Sequence, residues 1–272
     1  MSCISPVIIP GGKTPGLTKY ILVPCGKCVG CMVKKRSDWV FRVMAELRNK
    51  PCNYFVTLTY KNENLKRSQG MPVLCKDDIQ KWLKRLRNNV SEPFRYIVVG
   101  EYGTDTDRPH YHCLLFGLNT GNELPQKLIL RTWDLGHVSV GDVNIKSAKY
   151  VFKDMFESYL LSTRDKALFL MSRKPGIGAN YVEMYKEYHQ IHGPQKLRKE
   201  SGEIPRYYKL KIFSKGQRSA YSLRNKIKND SEDVKRREML IQSGQSPGVY
   251  ELETKRQYKE RILNRNKNKG KL

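Results

Sequence analysis

A β-hairpin in the middle of the chain is the feature that most constrains its fold. Two apolar runs, Tyr96–Val99 and Cys113–Phe116, flank a polar turn that contains glycine, which is the pattern of two paired antiparallel strands. The stretch Tyr54–Tyr60 is rich in β-branched and aromatic residues and predicts a further, central strand. Helical spacing elsewhere in the chain therefore indicates an α+β fold.

The helices are predicted from apolar residues that recur at three- and four-residue steps. This spacing predicts a helix over residues 34–49, a second one capped by Asp77 or Asp78, and a third one capped by Ser147. Shorter helices are predicted over Leu124–Leu130 and Tyr181–His192, and further strands over residues 133–143 and Ile204–Phe213.

The hairpin also carries a candidate metal site. His110 and His112 begin its second run, and alternate side chains of a strand point to the same face, so both imidazoles can reach one ion. Glu101 ends the first run and can supply a carboxylate across the hairpin. Two histidines and an oxygen ligand are a plausible seat for a divalent cation, although two ordinary surface histidines would show the same spacing.

The charge of the chain indicates its partner. Lys and Arg number 51 against 26 Asp and Glu, a net charge of +25 over 272 residues. This excess favours a polyanion, with nucleic acid ahead of a membrane surface. No run of about 18 apolar residues and no secretory signal is present, so we expect no membrane partner and a reducing cytosol.

The cysteines predict a second metal site. Cys25, Cys28 and Cys31 are separated by glycine-containing pairs, which fits a tetrahedral zinc knuckle. An iron–sulfur run would need a fourth thiol where Lys35 stands, so zinc is preferred. Cys3 is the first candidate for the fourth ligand and Cys52 the second; the alternative is a chance cluster of thiols.

A candidate nucleophile lies further along the chain. Tyr150 and Lys153 are neighbours on one helix face, and a tyrosine beside a metal ion can attack a phosphodiester to give a covalent phosphotyrosine. Taken alone, Tyr150 would more often be a packed aromatic. The later turn that contains Arg173 and Lys174 is basic and glycine-rich and can hold a phosphate.

Several motifs occur in a fixed order: CGKC with a third cysteine, FVTLTY, GEYG, RPHYHCLLFG, YVFK and SRKPGIG. This set resembles the HUH endonucleases and, among them, the replication initiation proteins of gokushovirus-type phages of the Microviridae. The resemblance extends from about Cys3 to about Asn180. The pair of histidines alone is a weak motif, whereas the ordered set is highly specific.

The resemblance implies an HUH (Rep-like) fold, with a central antiparallel sheet flanked by helices, and rolling-circle replication initiated by a site-specific nick in single-stranded origin DNA. His110, His112 and Glu101 would hold Mg²⁺ or Mn²⁺, Tyr150 would nick and stay joined to the 5′ phosphate, and Lys153 would steady that phosphate. Arg108, Arg173 and Lys174 would contact DNA. Host replication proteins, including a helicase, would be partners in the cytoplasm of the bacterium.

One departure from the family pattern concerns the nucleophile. The related phage proteins typically carry a second tyrosine after the lysine, and Asp154 stands there instead. Either Tyr150 performs both strand transfers, or a more distant tyrosine such as Tyr159 substitutes, or this copy is impaired.

Two other functions are compatible with the residues: a non-catalytic zinc-knuckle protein that binds nucleic acid, and a metal-dependent nuclease that uses water. The chain is predicted to comprise a cysteine-rich segment (residues 1–35), an endonuclease domain (36–213) and a basic C-terminal extension (214–272). The extension is poor in apolar residues and predicts exposed helix or disorder.

Overall fold

The computed structural model describes residues 3, 6–14, 17–48, 50–103, 106–152, 168–195, 197, 203–250, 252–253 and 256–257. The chain divides into two units, Met1–Met184 and Tyr185–Leu272. No helix in the described parts of the chain is both long and apolar enough to cross a membrane.

The first unit is α+β, and its elements alternate irregularly along the chain. Its strands are β1 (Val7–Thr14), β2 (Leu17–Val23), β3 (Tyr54–Thr59), β4 (Arg67–Ser68), β5 (Met71–Pro72), β6 (Arg95–Tyr102), β7 (Pro109–Phe116), β8 (Val138–Asp142) and β9 (Leu168–Met171). Its helices are α1 (Val29–Leu47), α2 (Lys76–Arg87), α3 (Pro125–Thr132) and α4, described over residues 145–152, with a 3₁₀ turn at Asn62–Asn64.

The remaining helices are α5 (Asn180–His192), α6 (Arg206–Ile212) and α7 (Lys215–Gln242). Most of the described side chains of α7 are exposed, in keeping with its polar sequence. A capping box at Ser214 and Gln217 begins this helix.

The centre of the first unit is a five-stranded antiparallel sheet in the order β8-β3-β7-β6-β9. The predicted hairpin is confirmed as the β6–β7 pair, in which Glu101 lies opposite His110 and Val99 opposite His112. The strand predicted at residues 54–60 is confirmed as β3, which pairs with β7 on one side and β8 on the other. The histidine strand is therefore the middle strand of the sheet.

Helices cover both faces of this sheet because its strands are apolar on both sides. Tyr111, Cys113 and Leu115 of β7 belong to an apolar cluster that includes side chains of α2 and α3. Leu114 and Phe116 belong to the other cluster, with side chains of α1 and α4. By strand alternation, His110 and His112 lie on the same side of β7 as Leu114 and Phe116.

Helix starts were harder to predict than helix positions. The first helix begins at Val29, not Lys34, so Cys31 lies in its first turn. The predicted cap at Ser147 is wrong: the Asn144 side chain accepts hydrogen bonds from the amides of Lys146 and Ser147 and caps α4.

The cap predicted at Asp77 or Asp78 is also wrong, because α2 begins at Lys76 without a side-chain cap. Asp78 instead turns inward and accepts a hydrogen bond of 2.9 Å from the hydroxyl of Tyr60, which lies 3.0 Å from that of Tyr111. Burial raises the pKa of Tyr111 to about 12 and that of Tyr60 further still, so both phenols remain protonated donors. This buried network fastens α2 to the sheet.

The strand predicted at Ile204–Phe213 is wrong, since residues 206–212 form α6. The buried side chains of this segment are Tyr208 and Ile212, which are four residues apart and thus share one helix face. A mixture of aromatic and basic residues was mistaken for strand alternation.

The N-terminal strands β1 and β2 form a separate two-stranded sheet between Cys3 and Cys25. Apolar side chains on both of its faces are exposed, among them Ile8, Tyr20 and Leu22. A hairpin of this kind buries little of its own surface and is marginally stable alone.

Gly136 sits where the loop before β8 crosses the end of β3. A Cβ atom at this position would lie 2.0 Å from the carbonyl oxygen of Thr59 and 2.7 Å from Cα of Tyr60. Only glycine permits this approach, which holds His137 in a backbone pair with Thr59.

Gly136→Ala is therefore expected to lower the free energy of unfolding by about 2 to 3 kcal/mol, because the new methyl group meets backbone atoms that cannot move independently. Urea denaturation followed by circular dichroism measures this change. Gly141→Ala on β8 is the matched control, since a Cβ there meets nothing within 4 Å. Equal stability of the two variants would contradict the close approach.

Candidate functional site

The hairpin brings one carboxylate and two imidazoles to a single point. Nε2 of His110 and Nε2 of His112 each lie 3.0 Å from the same oxygen, Oε1 of Glu101. The ligand atoms of the three side chains lie within 4.8 Å of one another. The antiparallel register creates this cluster, because it sets Glu101 directly across from His110 and one strand step from His112.

The hydrogen bonds of the imidazoles show that the cluster needs a positive charge. Nδ1 of His110 lies 3.2 Å from the carbonyl oxygen of Arg108, which can only accept, so Nδ1 carries the proton. In a neutral ring, Nε2 then presents a lone pair to the Glu101 carboxylate. Two acceptors 3.0 Å apart require a proton or a metal ion between them.

His112 supports the same conclusion. Its Nε2 is buried, and no described group meets it with hydrogen-bond geometry, although Glu101 Oε1 is 3.0 Å away. Its Nδ1 lies 3.1 Å from Oγ1 of Thr57. Metal-bound histidines usually have their second nitrogen held in this way. The donor set therefore fits a divalent cation.

Glu101 is a buried carboxylate that keeps its charge. Burial alone would raise its pKa, but the hydrogen bonds and charges of His110 and His112 outweigh burial and lower the pKa of Glu101 to about 2. The side chain is thus anionic across the pH range in which imidazoles act as ligands.

Tyr150 of α4 lies beside this cluster. Its ring centroid is 5.1 Å from that of His112 and 6.3 Å from that of Phe55, in edge-to-face geometry. Val151 and Phe152 of the same helix are fully buried against the sheet, whereas Tyr150 is 46% exposed. The helix therefore packs through its apolar residues and leaves Tyr150 at the rim, next to the metal-ligand group and open to a substrate.

Two partners of the site escaped prediction. Thr57 and Phe55 of β3 orient and stack on His112, with ring centroids of Phe55 and His112 5.6 Å apart. The alternation of Phe55 and Thr57 in β3 was visible in the sequence, but the register that sets Thr57 opposite His112 was not. Lys153, predicted beside Tyr150, lies outside the described residues, as do Asp154 and Tyr159.

The second candidate metal group is the cysteine cluster. Sγ of Cys3 lies 3.6 Å from that of Cys25 and 3.7 Å from that of Cys28, and Cys31 completes a group whose sulfur atoms lie within 4.8 Å of one another. Four thiolates at about 2.3 Å from a tetrahedral zinc ion are about 3.8 Å apart. The arrangement therefore has the dimensions of a zinc site.

The environment of these thiols differs from one to the next. Backbone amides of Lys27 and Cys28 lower the pKa of the Cys25 thiol, whereas burial raises the pKa of Cys31 to about 12. Cys52, the other candidate for the fourth ligand, is exposed and is not a member of the group. Cys3 and Cys25 flank the exposed β1–β2 hairpin, so a metal here would clamp its base.

The basic turn with Arg173 and Lys174 lies away from the histidine cluster. It follows β9, whose last residue, Met171, pairs with Ile97, at the opposite end of β6 from Glu101. Six strand positions, from residue 95 to 101, span roughly 20 Å. The amide of Gly178 in this turn already donates to the carboxylate of Glu46, so it does not face a ligand.

Comparison with known proteins identifies the class to which this scaffold belongs. The family described as "Replication-associated protein ORF2" matches residues 53–158, which include β3, the histidine hairpin and Tyr150. No solved structure matches the chain. The match to this family defines a replication-associated protein.

Three relatives specify the family. The chain is 31% identical over 246 residues to "Replication-associated protein ORF2" of Spiroplasma virus 4, covering 80% of this chain and 75% of the relative. It is 30% identical over 211 residues to "Replication-associated protein VP4" of Bdellovibrio phage phiMH2K (68% and 65%) and 33% identical over 105 residues to "Replication-associated protein ORF4" of Chlamydia phage 1 (37% and 25%). The chain therefore belongs to the replication-initiator family of the Microviridae.

We expect His112→Ala to weaken Mn²⁺ binding by about 100-fold, since loss of even an outer partner of a metal ligand commonly costs about 10- to 100-fold. Titration of Mn²⁺ followed by electron paramagnetic resonance measures the affinity. His137→Ala is the control, because His137 is exposed and is not a member of the cluster. Unchanged affinity in His112→Ala would contradict the metal site.

Cys3→Ser is expected to reduce the zinc content of purified protein from about one ion per chain to well below one, because three thiolates close a structural site less well than four. Elemental analysis after dialysis measures it. Cys52→Ser should keep its zinc. Loss of zinc in Cys52→Ser with retention in Cys3→Ser would reverse the ligand assignment.

Proposed function

We propose that this protein initiates rolling-circle replication by nicking one strand of its origin, with Tyr150 as the nucleophile. The endonuclease would have the HUH fold, in which the histidine strand lies within a central antiparallel sheet. The observation that carries the proposal is the placement of the Tyr150 ring 5.1 Å from that of His112, within a cluster of two imidazoles and a carboxylate.

The reaction is a transesterification. The phenolic oxygen of Tyr150 attacks the scissile phosphorus, the bond from phosphorus to the 3′ oxygen breaks, and the 5′ phosphate remains joined to tyrosine. The phenolic proton leaves to solvent, and the departing 3′ oxygen takes up a proton. The free 3′ hydroxyl then primes synthesis, and the reverse attack by a 3′ hydroxyl on the phosphotyrosine rejoins the strand.

Glu101, His110 and His112 would hold Mg²⁺ or Mn²⁺ in this site. When bound, the cation supplies electrophilic polarisation of the phosphoryl oxygens. The imidazoles are held by Thr57 and the Arg108 carbonyl, so the site is oriented before substrate arrives. Cys3, Cys25, Cys28 and Cys31 would hold a structural zinc ion that takes no part in the chemistry.

The net charge of +25 supports single-stranded DNA as the substrate, since Lys and Arg along the chain supply phosphate contacts. Arg108, beside the histidine cluster, would act on the nicked strand, whereas Arg173 and Lys174 would contact DNA further away. In the cytoplasm of the bacterial host, a helicase and other replication proteins would follow the nick.

Asp154 stands where related phage proteins typically have a second tyrosine. In the simplest cycle, Tyr150 performs both transfers and Lys153 steadies the phosphate each time. Tyr159 is the other candidate for the second transfer.

Tyr150→Phe is expected to abolish the covalent protein–DNA adduct, because phenylalanine has no oxygen to attack phosphorus. The assay incubates the protein with labelled single-stranded origin DNA and Mn²⁺ and resolves the products on a denaturing gel. Tyr188→Phe, which alters another exposed tyrosine, should leave the adduct unchanged.

The same gel separates the alternatives. An adduct that persists in Tyr150→Phe would remove Tyr150 as the nucleophile. Cleavage without any adduct would indicate a water-dependent nuclease, and binding without cleavage would indicate a non-catalytic DNA-binding protein.

A further inference from the structure

A cavity of about 590 Å³ opens beside the histidine cluster, a volume typical of small-ligand pockets. It is lined by the end of β3, the 3₁₀ turn that follows it, and side chains from two other segments: Thr59, Tyr60, Lys61, Asn62, Glu63, Arg108 and His137. Thr59 lies opposite His110 in the sheet, so the cavity adjoins the metal-ligand group.

The walls of the cavity are held rigidly. The Arg108 guanidinium donates to the carbonyl oxygen of Tyr60 and to Oδ1 of Asn62, each at 2.6 Å. Asn64 donates from Nδ2 to the carbonyl oxygen of Leu135 at 3.1 Å and ties the 3₁₀ turn to the loop that carries His137. The site is therefore formed before any ligand binds.

The polar groups of the cavity favour a base over a phosphate. Arg108 already uses both terminal nitrogens on protein acceptors, so it does not offer a fork to an anion. The Glu63 carboxylate would repel a phosphate. The exposed ring of His137 offers a face on which a base can stack.

The same groups distinguish among bases. Because Oδ1 of Asn62 accepts from Arg108, its Nδ2 is left as a donor, and the Lys61 ammonium is a second donor. Glu63 supplies two acceptor oxygens. A carboxylate is matched by two adjacent donors on one edge, and guanine alone has them, in N1–H and the N2 amino group, next to the O6 acceptor.

We propose that this cavity, formed by Asn62, Glu63 and His137 beside the Glu101–His110–His112 cluster, binds one guanine of the single-stranded DNA. This inference rests on the proposed function, because the guanine would flank the phosphate held at the histidines. Arg108 links the two sites, since its carbonyl oxygen holds His110 and its guanidinium holds Asn62.

The test measures fluorescence anisotropy of the full chain with four labelled 13-mers of thymidine that carry G, A, C or T at the central position. No Mg²⁺ or Mn²⁺ is added, so binding is measured without cleavage, and no chelator is used, so the cysteine cluster is preserved. We expect the oligonucleotide with G to bind about tenfold more tightly than the others, and one with hypoxanthine, which lacks the N2 amino group, to fall between.

Glu63→Gln is expected to reduce the preference for G to within about twofold, because the amide presents one acceptor and one donor in place of two acceptors. Glu92→Gln is the matched control: it removes the same charge from an exposed loop and should keep the full preference. Equal affinity of the unaltered protein for all four oligonucleotides, no measurable binding of any, or a preference that survives Glu63→Gln would each overturn the proposal.

The two proposals fail separately. A guanine preference without a Tyr150 adduct on origin DNA would leave the cavity assigned and remove the nicking mechanism. An adduct without a guanine preference would do the reverse.

Discussion

The pairing of Glu101 with His110 and His112 across β6 and β7 is the interaction on which the site depends. A buried carboxylate is costly unless charge and hydrogen bonds compensate it, and here two imidazoles do so from the neighbouring strand. Slipping the register by one residue would turn both histidines to the opposite face of the sheet. The apolar clusters on both faces prevent that slip, because every core side chain of β7 would be displaced with them.

Packing, not local chain proximity, assembles the rest of the site. Val151 and Phe152 fix α4 on the histidine face of the sheet, and this leaves Tyr150 at the rim beside His112. Thr57 comes from the other neighbouring strand of β7 and orients the same imidazole. The candidate nucleophile and the metal ligands thus derive from separate elements that share one face of one sheet.

The end of β3 joins several functions in a small volume. Gly136 allows the loop before β8 to lie against the backbone of Thr59, and this approach positions His137 at the cavity. Arg108 contacts His110 through its carbonyl oxygen and Asn62 through its guanidinium. In our proposals, the base that is recognised and the phosphate that is cleaved are therefore held by one continuous hydrogen-bonded structure. The cysteine cluster is a separate device that clamps an otherwise weakly buried hairpin.

Local patterns in the sequence were sufficient to locate the β6–β7 hairpin, α2, α3, α5 and the cysteine group with Cys3, because each depends on spacing between near neighbours. The same reasoning failed for α6, whose buried Tyr208 and Ile212 were read as strand residues, and for the caps of α2 and α4. Only the tertiary structure decided that β3 lies beside β7, which brings Thr57 to His112, and that Arg173 and Lys174 lie at the far end of β6. Strand order and register arise from contacts between residues distant in the chain, and no local period in the sequence encodes them.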